Sequence, residues 1–339
     1  MPGEVTSAAD RAAAAERAVL GAYRRRVALL PGTALGRRRP VRGRPFARRP
    51  LDYWWQAHLL DCLVDAQGRA PAPGRRRLIG RVVRSVWLAN GGWCNDFHDD
   101  MAWFALALGR AAEVTGVDHA RARRALRSHL RNERRPDGLL TWRCHDAFVN
   151  APANGPAAIL LAREGDVGGA VTVVRWLTTT LTDPATGLVL DGIQADGHVE
   201  TAVYTYNQGT TLGALVELAG LDPRGGWAAR AGRLVDTVGD RLAPGGVLTG
   251  RGGDDGGLFA GICARYLALA AHRLDLPEAA RLVLRSADAA WAGRDPETGR
   301  FAADWSRPAG TDPVDDNLSV QLSAWMLLEA AATLAAGDR

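Results

Sequence analysis

The sequence contains no lysine; all 42 of its basic residues are arginine, a bias that points to GC-rich coding DNA before it points to chemistry. Cysteine is scarce too. Cys62, Cys94, Cys144 and Cys263 stand too far apart for a CxxC metal pair, and two of them lie inside apolar helical patterns, so free buried thiols are expected. The N-terminal stretch MPGEVTSAADRAAAAERAVL has acids where a signal peptide needs a basic segment, and no apolar run follows it. No 18-residue apolar span is apparent later, so the expectation is a cytoplasmic chain without a membrane span. Alternating β-type runs are almost absent apart from short pieces such as 187–194. No GxSxG, Walker or dinucleotide-binding pattern is present, which removes the serine-hydrolase and phosphate-cradle readings.

The net charge of +5 is local. Residues 1–50 hold 12 arginines against Glu4, Asp10 and Glu16, a balance of +9, which leaves −4 for the rest. A nucleic-acid site needs stacking aromatics among its basic residues, whereas the Arg37–Arg49 run contains only Phe46. Nucleic acid is therefore not expected as a partner, and the run reads as a solvated lead-in at the edge of the fold.

What is abundant is helical periodicity. At 339 residues and 47% apolar content the chain can bury one sizeable core, and a single domain is expected. In it, residues 1–49 form a basic N-terminal helix and an Arg/Pro-rich lead-in, and 50–339 the main body. Apolar spacing predicts helices near 8–30, 50–66, 74–89, 98–115, 119–133, 153–164, 167–182, 206–220, 225–241, 256–274, 277–293 and 315–336. Some connections are tight, such as 115–119 and 275–277, whereas others are long and rich in Gly, Asp, Asn and Trp, such as 136–154 and 182–205. Long loops at every second connection of antiparallel helices fall at one end of a closed ring. An all-α fold, an (α/α)6 barrel of about twelve helices, fits the count, with an open helical array as the alternative.

The densest polar-aromatic stretch is GGWCNDFHDDMAWF at 91–104, which sets Asp96, Asp99 and Asp100 among Trp93, Phe97, Trp103 and Phe104. Glycosidic bond hydrolysis needs one carboxylic acid to protonate the leaving oxygen and one carboxylate to attack or to activate water, with aromatic faces on the apolar side of the sugar. The competing reading is that an Asp merely caps the following helix or meets its dipole. Capping uses one Asp well and requires no aromatic surround. Adjacent aspartates at a helix start are compatible with carboxyl groups about 5 Å apart, the separation of a retaining mechanism.

Other clusters carry the same double reading. Tyr53, Trp54, Trp55 and Gln56 open a helix whose two adjacent indoles cannot share one core stripe. Asn150 and Asn154 suit either sugar hydroxyls or turn chemistry. Tyr204, Tyr206, Asn207 and Gln208 suit bidentate contacts to vicinal hydroxyls, or Asn207 is a cap. Asp254 and Asp255 lie in GGDDGG, which lacks the ligand spacing of a calcium loop. His98 has no Cys or His at metal spacing and reads as structural or hydrogen-bonding, so neither metal nor cofactor is expected.

These residues resemble glycoside hydrolase family 76, the α-1,6-mannanase family. The likeness lies in YWWQAHLLDCLVDA at 53–66, NDFHDDMAWFALALGRA at 95–111, VNAPANG at 149–155, YTYNQGTTLGALVEL at 204–218, GGLFAGICARYLALAA at 256–271 and the closing QLSAWMLLEAAA. The resemblance implies an (α/α)6 barrel and a retaining endo-α-1,6-mannanase, with Asp99 as nucleophile and Asp100 as general acid/base. It implies a substrate cleft drawn from Trp54, Trp55, Gln56, Asn95, His98, Trp103, Asn154, Tyr206, Asn207, Gln208 and Asp255, and a monomer acting on α-1,6-linked mannan or mannooligosaccharide. Two departures stand out: His98 occupies the position where the family commonly has Tyr, and Ala260 replaces the Lys of its usual FKG. A non-catalytic sugar-binding barrel and another sugar-processing enzyme on the same barrel are the competing expectations.

Overall fold

The computed structural model describes residues 6–28, 30–40, 51–250 and 254–337; the expected lead-in over 41–49 lies outside them. Twelve α-helices are present among the described residues: α1 (Ala8–Tyr23), α2 (Tyr53–Arg69), α3 (Pro73–Asn90), α4 (His98–Thr115), α5 (Ala120–Asn132), α6 (Ala151–Arg163), α7 (Val167–Thr179), α8 (Thr205–Leu221), α9 (Trp227–Leu242), α10 (Phe259–Leu274), α11 (Pro277–Gly293) and α12 (Leu318–Gly337). Two small antiparallel sheets accompany them. One pairs β1 (Arg24–Arg25) with β2 (Leu35–Gly36), and the other orders β3 (Val149–Asn150), β4 (Leu190–Ile193) and β5 (Val199–Val203) side by side. Helix α1 stops seven residues short of its expected end because Arg24 turns extended to pair with Gly36.

The helices form two concentric rings, an (α/α)6 barrel. Helices α2, α4, α6, α8, α10 and α12 pack each on the next, and α12 closes on α2. The odd-numbered helices cover them, with α1 against α12. Sequence sorts the rings by burial. Inner α8 buries residues around its whole circumference from Thr205 to Leu218, whereas outer α9 buries one stripe, Trp227, Ala231, Leu234, Val235 and Val238. Inner α12 is long and apolar enough to cross a membrane by length and composition, contrary to the expectation of no such span, but 83% of that window is buried in the barrel. Glycines let the inner helices approach closely. A Cβ at Gly209 would lie 2.7 Å from the Cys263 Cα, and one at Gly261 2.5 Å from the Ser323 Cα.

Each inner helix enters from a longer loop, and α2, α4, α6, α8 and α10 leave by the short turns 70–72, 116–119, 164–166, 222–226 and 275–276. All six inner N-termini therefore share one end of the barrel, with their positive dipole ends converging there. The other end collects arginine. Asp61 and Asp65 of α2 pair with Arg110 and with Arg265 (2.8 and 2.7 Å), and Glu329 takes Arg69 at 2.8 Å. A cavity of about 160 Å³ lies among these groups, a full helix turn or more from the aspartate pair.

Candidate active site

The loop before α4 sets the acids in place. Asp96 O accepts the Cys144 N–H at 2.8 Å and the Trp142 carbonyl accepts the His98 N–H at 3.0 Å, flanking an antiparallel bridge between Phe97 and Arg143. Phe97 occupies the N-cap position of α4, so Asp99 and Asp100 fall in the first turn and neither is the cap. Their carboxylates are engaged elsewhere. Asp100 is buried and receives the Asn95 Nδ2 at 2.5 Å and the backbone N–H of Trp54 in the first turn of α2. Asp99, half-buried, accepts its neighbour's backbone N–H at 2.9 Å and the Trp142 Nε1–H at 3.3 Å.

Burial dominates both acids. It pushes Asp99 up to about 6 against the hydrogen bonds from Asp100 and Trp142, so the helix dipole does not hold this carboxyl at its ordinary value. Burial, and then the charge of Asp99, raises Asp100 well above the ordinary range. Asp99 consequently ionises first and Asp100 keeps its proton longer, which is the division a nucleophile and a general acid require.

Around the pair stands an aromatic wall. Tyr206 and Phe259 stack at 4.1 Å between ring centres, Trp54 lies 6.4 Å from each, and Tyr204 lies 5.1 Å from Phe259. Asp255 anchors the indoles, one oxygen accepting Trp54 Nε1 at 3.0 Å and Trp55 Nε1 at 2.8 Å. Burial raises the Tyr206 phenol well above its usual value, with Asp191 and Asp99 adding to the effect, so its hydroxyl stays neutral beside those acids.

Several expected sugar contacts turn inward instead. Gln56 Oε1 accepts the Gly36 N–H at 2.7 Å, Asn154 Oδ1 accepts the Leu140 N–H at 2.9 Å, and Gln208 Oε1 accepts the Val189 N–H at 2.9 Å. Each amide also donates back to the carbonyl of that same residue, at 3.3, 2.7 and 2.8 Å. Gln321, not singled out from sequence, does the same to Phe301 at 3.0 and 2.8 Å. All four occupy the fourth position of an inner helix and clamp one extended residue of an overlying loop. Trp103 is buried against His58 with ring centres 4.7 Å apart, and Trp55 is fully enclosed apart from its link to Asp255. Asn207 is likewise buried and donates to Asp191 Oδ1 at 3.3 Å.

His98 also turns away from the acids. Its Nδ1 meets the Thr141 carbonyl at 2.8 Å, and its Nε2 faces Cys144 Sγ at 3.6 Å. Among the described residues, His98, His129 and Cys144 form the one group of three or more histidine, cysteine and acidic side chains with donor atoms close enough to share a metal ion. Sequence reasoning missed this group, and it missed Trp142 and Asp191 as well. Burial pushes Asp191 up to about 6 against its bond from Asn207. The only sequence signal for it was a carboxylate within the short β-type piece 187–194.

The sequence profile of glycosyl hydrolase family 76 matches residues 7–336. The chain matches none of the curated protein sequences. Among solved structures it is similar to the GH76A α-1,6-mannanase of Salegentibacter sp. HEL1_6, at 28% identity and a TM-score of 0.85 over 97% of this chain and 100% of that one. An inactive variant of that enzyme, with two adjacent aspartates changed to asparagine, is in complex with α-1,6-mannotriose and aligns equally well. The Lin0763 protein from Listeria innocua, at 23% identity and a TM-score of 0.84 over 98% of both chains, shares the fold. With the profile covering almost its whole length, the chain belongs to glycosyl hydrolase family 76 and is a glycoside hydrolase on an (α/α)6 barrel.

Proposed function

We propose that the chain is a retaining α-1,6-mannanase in which Asp99 attacks the anomeric carbon and Asp100 serves as general acid and then general base. The observation that carries this reading is the Asp99–Asp100 pair at the shared N-terminal end of the inner helices, beside a wall of Trp54, Tyr206 and Phe259. It is supported by the likeness to an α-1,6-mannanase whose variant at two adjacent aspartates is inactive.

In the first step Asp99 forms a glycosyl ester while Asp100 gives its proton to the departing 6-oxygen of the next mannose. Water then enters, Asp100 takes its proton, and the ester opens with the original anomeric configuration restored. Trp142 and the Asp100 backbone N–H orient Asp99, and Asn95 orients Asp100. The Trp54, Tyr206 and Phe259 rings supply the apolar face for a pyranose.

The test is product release from linear α-1,6-mannan and α-1,6-mannooligosaccharides by wild type, Asp99→Asn and Asp100→Asn, with NMR of the first-formed anomer. Cleavage with retention by wild type, falling by orders of magnitude in both variants, is expected. First-formed product of inverted configuration would overturn the double displacement, and binding without sugar release would move the chain to a carbohydrate-binding role.

A further inference from the structure

We propose that His98, His129, Cys144 and Glu133 form a binding site for one zinc-class divalent cation, which ties the start of α4 to the end of α5 and to the loop ahead of α6. This inference is independent of the mannanase reading.

The donor atoms come from three elements. His98 is the first residue of α4, His129 lies in the last turn of α5, Glu133 closes that helix, and Cys144 sits in the loop between that helix and β3. Both imidazole Nε2 atoms lie 3.6 Å from the one Cys144 sulfur, and the three donors all lie within 4.8 Å of one another. A tetrahedral zinc with a Zn–S bond of about 2.3 Å and Zn–N bonds of about 2.0–2.1 Å requires a sulfur-to-nitrogen edge of about 3.6 Å. The spacing present is that edge, twice. Glu133 Oε2 is 3.9 Å from His98 Nε2 on a side chain 40% exposed, free to rotate into the fourth position. Because Glu133 follows His129 by four residues, both project from the same side of α5.

The tautomer suits a ligand as well. A carbonyl oxygen only accepts, so the Thr141 contact places the His98 proton on Nδ1 and leaves the Nε2 lone pair aimed at the sulfur. A ligating histidine whose other nitrogen is held by a backbone carbonyl is the usual outer-shell arrangement of zinc sites. The backbone holds the group without help from an ion. The hydrogen bonds His98 N–H to Trp142 O and Cys144 N–H to Asp96 O fix two ligands across one short antiparallel pair. Hydrogen bonding alone would satisfy the thiol and the two imidazoles, but it gives Glu133 no part.

Thiolate and imidazole donors select zinc or cobalt over magnesium and calcium. With four protein ligands the site has no open position for a substrate, so its role is structural. On binding, the Cys144 thiol gives its proton to solvent and the thiolate takes the metal. The ion then braces the turn that delivers Asp99 and Asp100, one and two residues beyond His98.

The test is titration of the chelator-stripped full chain with Co2+ as a spectroscopic probe, followed by Zn2+. The expected result is one equivalent of Co2+ with the intense visible bands of four-coordinate cobalt and a thiolate-to-metal charge-transfer band. Zn2+ should displace it, and one equivalent of Zn2+ should raise the Tm. The charge-transfer band should vanish in Cys144→Ser, and His129→Ala should lose stoichiometric binding, with circular dichroism checking that each variant folds. A wild-type chain that takes up no stoichiometric Co2+, or binds it six-coordinate without a thiolate band, overturns the proposal. So does a band that survives Cys144→Ser. The wild-type spectrum decides even where a variant fails to fold.

Discussion

His58 lies wholly inside the barrel, with ring centres 5.5 Å from Trp54 and 4.7 Å from Trp103, and neither of its ring nitrogens has a protein partner among the described residues. Burial depresses its pKa to about 3, with Asp61 opposing and Arg265 adding to the effect. The folded state therefore refuses a proton that the unfolded chain accepts near 6.5. Stability from this residue is complete above about pH 6.5 and is lost as pH falls toward about 3, at about 1.4 kcal/mol per pH unit. Between pH 7.5 and pH 5 the loss amounts to about 2 kcal/mol. His58→Phe keeps a flat ring between the two indoles and removes the titration. Urea denaturation followed by tryptophan fluorescence at both pH values should show wild type losing about 2 kcal/mol more than the variant on acidification. At neutral pH the variant should equal or exceed wild type, because it buries no unpaired polar atom. Equal acid losses in the two proteins would show that His58 is protonated in the folded state and would refute the argument.

The pH–rate profile on α-1,6-mannooligosaccharides should rise through about 6 as Asp99 ionises and fall at higher pH as Asp100 gives up its proton; Asn95→Ala should move the falling limb upward, since its lost bond favours the carboxylate. Gly261→Ala drives a methyl into the Ser323 backbone and should cost about 1–3 kcal/mol, read as a lowered Tm, whereas Gly80→Ala, with open space around it on α3, should be neutral or stabilising by up to about 1 kcal/mol. Gln208→Leu leaves both backbone groups of Val189 unpaired and should cost about 2–4 kcal/mol in denaturation; unchanged stability with a raised KM would return Gln208 to the substrate.

The barrel was legible because its signals are local. Helical spacing, and the alternation of tight and long connections, report which helix ends meet without any knowledge of contacts. The aspartate pair stood out as a candidate for a similar reason: its acids and aromatics lie within one stretch of 14 residues. The amides were not. A Gln that satisfies the N–H and C=O of one extended residue has the same chemistry as a Gln that grips two vicinal hydroxyls, so Gln56, Asn154 and Gln208 read as sugar ligands. Their shared place, the fourth residue of an inner helix in YWWQ, APAN, TYNQ and, for Gln321, LSVQ, becomes a pattern only once helix starts are known to the residue. Cys144 and His129 were illegible for the opposite reason: 46 residues separate His98 from Cys144, and only the bridge between Phe97 and Arg143 brings the loops together. The apolar length of α12 was masked by Ser319, Gln321, Ser323 and Glu329, polar residues three of which an inner helix tolerates because neighbours satisfy them; Gln321 binds Phe301, Ser323 accepts from Gly261, and Glu329 takes Arg69 and Trp325.

The packing of α1 on α12 sets an order of events during synthesis. Helix α1 is made before every other described helix, yet its apolar stripe of Ala12, Ala15, Val19 and Tyr23 rests on α12, the last of them, and the Tyr23 hydroxyl reaches a carbonyl 293 positions away at Asp316. Adjacent hairpins such as α6 with α7 can form as soon as each pair is free of the tunnel, but the seam joins only when α12 is out as well. Until then the first helix has an unpaired apolar stripe, which makes the nascent chain a client for whatever shields such surfaces, and makes ring closure the late, slow step in its maturation.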